Sequence, residues 1–70
     1  MSATDEQVAG AHYKAMPIQP AVFIHANAIP FLEGCVLKYV CRHKSKGGAE
    51  DIRKAIHYCQ LILELEYGEK

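Results

Sequence analysis

The sequence predicts an all-α chain: a short N-terminal arm, one short helix and a helical hairpin that assembles as a homo-oligomer. Apolar side chains recur at helical spacing over Phe31 to Arg42 and over Ala49 to about Leu65. Between those runs, HKSKGG (43–48) is polar and ends in two glycines that permit a break. No alternating apolar and polar run has convincing strand length. With 70 residues there is room for one domain, and a body this small hides only about 60% of the surface its unfolded chain exposes.

Taken in order, residues 1–10 are polar and small, and are expected to fray as a flexible terminus. His12-Tyr13-Lys14 leads into Met16-Pro-Ile-Gln-Pro20, where two prolines favour extended or turn backbone and Pro20 suits the first position of a helix. Val22, Phe23 and Ile24 give that helix two turns, although residues 21–25 also read as a short strand. Asn27 tolerates the left-handed backbone that ends a helix. Leu32, Cys35, Val36, Tyr39 and Val40 make one face of the second helix. Glu50 and Asp51 open the third helix, where acidic groups complement the dipole. Its core stripe is expected to be Ile52, Ala55, Ile56, Cys59, Ile62 and Leu63, with Tyr58, Leu61 and Leu65 as a second stripe for another copy of the chain.

Composition removes several classes. Cys35, Cys41 and Cys59 are odd in number and lack CxxC spacing, so they read as small core hydrophobes of a reducing, cytoplasmic protein. There is no signal-peptide pattern and no apolar run of membrane-spanning length, so no membrane partner is expected. His12, His25, His43 and His57 never fall at i, i+3 or i, i+4, and no paired-carboxylate array is present, so no metal site is assigned. The formal charge is zero, but six of the eight Lys and Arg side chains lie between Lys38 and Tyr58 against only Glu50 and Asp51. That basic corner has two readings. One is a solvated turn with Lys54 and Arg53 paired to Glu50 and Asp51. The other is an anion site in which Lys38, Arg42 and Lys46 supply charge and the Gly47-Gly48 backbone approaches closely at a helix N-terminus.

The run GxxxKYxxRxxxKGGxEDxxKAxxY, here Gly34, Lys38, Tyr39, Arg42, Lys46, Gly47, Gly48, Glu50, Asp51, Lys54, Ala55 and Tyr58, resembles the SaV-like family of small bacteriophage proteins. The likeness extends over about residues 11–68, one helical domain. It implies a phage-encoded nucleotide- or phosphate-binding protein in the cytoplasm of the infected bacterial host, because a similar domain occurs in a larger phage nucleotide kinase that lacks a P-loop. Under this resemblance Lys38, Arg42, Lys46, Gly47 and Gly48 hold phosphate and Lys54 assists. Tyr58 or Tyr13 packs on the base beside His12 and Lys14, and Asp51 orients a lysine or holds magnesium. The resemblance also leaves room for nucleoside monophosphate kinase activity with ATP and Mg, or for a non-enzymatic module that binds a host defence protein or sequesters a nucleotide signal.

Overall fold

A computed structural model describes residues 16–70; the expected flexible terminus 1–10 and the His12-Tyr13-Lys14 trio lie outside the described residues. Three helices follow in order: α1 (Pro20–Ala26), α2 (Phe31–Arg42) and α3 (Ala49–Tyr67). Among the described residues there is no strand, so residues 21–25 are helical. No helix of the described chain is long and apolar enough to cross a membrane.

Each boundary has a local cause. Pro20 opens α1, where its missing N–H would have no intrahelical partner anyway, and the Gln19 carbonyl accepts from the Val22 and Phe23 amides at 3.1 Å. At the far end, Asn27 Nδ2 donates to the Phe23 carbonyl at 3.0 Å. Asn27 was the expected left-handed residue, but its φ is −97°, and Ala28 takes φ 51° instead. That shift places the Ile29 N–H on the Ile24 carbonyl at 3.0 Å and turns the chain into Pro30 and α2. Gly34, buried on α2, faces α1, where a Cβ would make an ordinary contact with Ile24 Cγ2 at 3.4 Å.

Helices α2 and α3 form the hairpin. Pro30 and Glu33 at the start of α2 share a groove with Cys59 and Ile62, while Arg42 at its end meets Asp51 in the first turn of α3, so the two helices run antiparallel. Gly68 stops α3 with φ 70°, and its N–H reaches the Glu64 carbonyl at 3.1 Å.

The face that α3 buries matches the expected stripe in half of its residues. Ala55 is buried and Ile52 and Ile62 half-buried as expected, and Asp51 is buried and Tyr58 and Leu61 half-buried beside them, whereas Ile56, Cys59 and Leu63 are exposed. The helix is rotated by about one residue, because Asp51 is drawn inward to meet Arg42. Pro20 and Ala55 carry the buried apolar side chains among the described residues, and nine large hydrophobic side chains stand 39–76% exposed.

Relieving the strained left-handed alanine tests this reading of the α1–α2 turn. Ala28→Gly should raise stability by about 0.5–1 kcal/mol, seen as a thermal midpoint several degrees higher. A lower midpoint would show that the turn does not hold this backbone.

Candidate functional site

The loop between the hairpin helices is organised by one carboxylate. Arg42 Nε donates to Asp51 Oδ2 and Arg42 Nη2 to Asp51 Oδ1, both at 3.1 Å. The Gly47 N–H adds a third bond to Oδ2 at 3.0 Å. The two side chains are only 13% and 2% exposed. A planar guanidinium matches a carboxylate through two parallel hydrogen bonds in a way a lysine cannot. A Cβ on Gly47 would overlap the Asp51 carboxylate, so this position needs glycine for space. Gly48 needs it for conformation, at φ 57° and ψ −137°.

This arrangement revises two expected roles. Asp51 orients an arginine rather than a lysine, and hydrogen bonds from protein groups engage both of its oxygens. The Gly47 and Gly48 amides, expected to face phosphate, instead bond Asp51 and the His43 carbonyl. Ser45 and Lys46 amides both reach the Arg42 carbonyl at 3.0 Å. The loop is thus closed upon itself. Of the solvated-turn pairs, Arg53 does meet Glu50 at 3.3 Å, an exposed contact worth little.

The basic groups converge elsewhere. Arg42 Cζ lies 4.6 Å from the Tyr39 ring centroid, Lys54 Nζ 5.4 Å and Lys38 Nζ 5.6 Å, all within cation–π range. The long apolar stems of Lys38 and Arg42 let their charged ends lie over the ring. Tyr39 in turn stacks on Tyr58, with centroids 5.8 Å apart and planes at 13°. The Tyr58 phenol is pushed above its ordinary value, first by the neighbouring Cys35 side chain, then by burial and by Tyr39. It stays protonated at neutral pH. Lys46 sits exposed on the loop.

Beside this cluster lies a groove of about 490 Å³ between α1 and α2, lined by Pro20, Ile24, Pro30 and Phe31, with Gln19 and Lys38 as its polar members. Lys38 therefore belongs to both the groove and the cation cluster. Sequence reasoning passed over Phe31, because a lone aromatic at a helix start carries no periodic signal. It assigned Tyr39 only to the core. The signal for its second role was available: Lys38 and Arg42 flank it on α2. Among the described residues no group of three or more His, Cys, Asp or Glu side chains is placed to hold a metal ion.

Comparison with known proteins gives one family. The family described as a protein of unknown function, DUF3310, matches residues 8–60, which include α1, α2, the loop and most of α3. No curated protein and no solved structure matches the chain significantly.

The clamp has a pH signature. Hydrogen bonds from Arg42 hold the Asp51 carboxyl below its ordinary value; burial opposes them, and the Gly47 N–H and the charges of Arg42 and Lys54 add to the lowering. A depressed folded-state pKa means a contribution fully present above the unfolded value of about 3.9 and lost as pH falls through the folded value. In urea titrations, Asp51→Asn should be less stable than the parent at pH 7, and the gap should narrow below about pH 4. A gap independent of pH would refute the clamp. Gly47→Ala should cost about 1–3 kcal/mol by overpacking against the carboxylate.

Proposed function

The chain belongs to the DUF3310 family of proteins of unknown function, and on that premise we propose that it is a nucleotide-binding protein whose site is the Lys38–Lys54 side of the hairpin together with the α1–α2 groove. Lys38 and Lys54 take the phosphate, and the base enters the groove against Phe31 and Pro30. The observation that carries this reading is the double membership of Lys38, which lines an apolar groove and joins Lys54 and Arg42 around one ring. Three cations gathered around one ring favour the approach of an anion. The groove volume falls within the range of small-molecule sites, which join apolar walls to a few polar groups.

The reading favours binding over transfer. For a kinase-like role, with ATP and Mg as the resemblance allows, the Asp51 carboxylate is already engaged by Arg42 and Gly47, and Glu50 beside it is exposed and meets only Arg53 among the pairs described. The biological role proposed is that of a phage protein in the infected host's cytoplasm that holds or sequesters a nucleotide. Direct binding of a host defence protein is the second reading, and the exposed apolar side chains of α3 are the observation in its favour.

Calorimetry against mononucleotides, dinucleotides and cyclic nucleotides tests the proposal. Lys38→Ala and Lys54→Ala should each weaken binding about tenfold, the expected loss of a charge-assisted hydrogen bond. Phe31→Ala should weaken it too, while Arg53→Ala should not. Absence of binding to every nucleotide would sink the proposal, and formation of a diphosphate from a monophosphate with ATP and magnesium would replace it with an enzymatic one.

A further inference from the structure

The rotation of α3 leaves a second apolar surface on the side of the hairpin away from the groove. Ile52, Ile56, Cys59 and Leu63 follow one another at intervals of four, three and four residues, the spacing of a helix–helix seam. Ile56 is 52% exposed, Leu63 43% and Val40 on the neighbouring helix 45%. Cys59 is exposed as well. Val36 and Cys59 line a common groove of about 440 Å³ with Ile62 and Pro30, so the α2 and α3 contributions form one continuous face. With 3.6 residues per turn, Lys38 lies roughly 160° around α2 from Val36 and Val40. This face is therefore distinct from the nucleotide site proposed above.

We propose that this face is a homodimer interface in which a second copy of the chain packs with its α3 antiparallel to the first. The charge distribution identifies the occupant. The loop end of the hairpin carries Arg42, Lys44, Lys46, Arg53 and Lys54 against Glu50 and Asp51, and the opposite end carries Glu33, Glu64, Glu66 and Glu69 against Lys70, so the two ends are oppositely charged within a chain of zero formal charge. An antiparallel neighbour sets each basic end beside an acidic end, whereas a parallel one sets like against like. A two-fold axis satisfies both helices at once, because the same patch serves as its own complement. The thin core adds the need: with Pro20 and Ala55 as the buried apolar side chains among the described residues, a chain of this length has little to set against its ordering entropy without a partner.

Sedimentation over a range of concentrations, combined with thiol reactivity, tests the interface. The parent chain should be a dimer at micromolar concentration. Ile56→Glu, at a side chain already half in solvent within one protomer, should keep its helical circular dichroism and raise the dissociation constant about 30-fold or more, as loss of a central interface residue does. Cys59 should be alkylated slowly in the dimer and quickly on dilution or in Ile56→Glu. Cys41, exposed on α2 outside the stripe, should react quickly throughout. Glu64→Lys combined with Glu66→Lys should weaken the dimer; an unchanged or tighter dimer would overturn the antiparallel arrangement. A monomer at all concentrations would overturn the interface and leave the stripe to a foreign protein. A dimer that protects Cys41 and leaves Cys59 reactive would overturn the face. Nucleotide affinity should be the same in Ile56→Glu and the parent, so either proposal can fail without the other.

Discussion

The contact on which the rest of this small fold depends is the bidentate pair between Arg42 and Asp51, closed by the Gly47 N–H. It joins the last turn of α2 to the first turn of α3 across nine residues. Two charges with little solvent access are tolerated only when their hydrogen-bonding capacity is largely met, and here both carboxylate oxygens are engaged and three guanidinium and amide donors are used. The pair fixes more than the loop. It sets the rotation of α3 about its own axis, and with it the choice of which apolar side chains face α2.

That rotation divides the hairpin into two working sides. On one, Lys38, Arg42 and Lys54 gather around Tyr39, and the α1–α2 groove opens beside them. On the other, Ile56, Cys59 and Leu63 are left in solvent although their spacing suits a helix seam. Had α3 buried the stripe predicted from periodicity, Asp51 would have turned away from Arg42 and left a half-buried guanidinium without its carboxylate. The inward pull of one carboxylate thus outweighs the apolar preference of several exposed side chains, because each of those loses only part of its burial, whereas an orphaned charge forfeits its whole compensation.

Much of the architecture was legible in the sequence. The limits of α2 fall where helical spacing meets Pro30 on one side and HKSKGG on the other, and α3 begins at Ala49 directly after Gly48. Both are local signals of propensity and backbone freedom. The partner of Asp51 was not legible, because an ion pair nine residues apart requires the loop to have closed, and loop closure is a tertiary event. The ambiguity over which part of the 52-55-56-59-62-63 stripe faces α2 has the same origin. Periodicity finds an apolar arc but cannot tell which edge of a wide arc is covered. The gathering of Lys38 and Lys54 on Tyr39 depends in turn on the hairpin register that the clamp sets.

The thin core gives the clamp and the two surfaces a common thermodynamic footing. A ligand or partner that binds only the folded chain stabilises it in proportion to the logarithm of its concentration over its dissociation constant. With so little apolar surface buried within the protomer, that increment is a large share of the total stability. A clamp that aligns α2 with α3 before either surface is occupied lowers the ordering cost of occupying it, since the cations on one side and the stripe on the other are presented already in place. This accounts for a glycine at 47, where a side chain would overlap the carboxylate, and an arginine at 42, where lysine would lose the second hydrogen bond: both residues preserve the geometry from which the two faces follow.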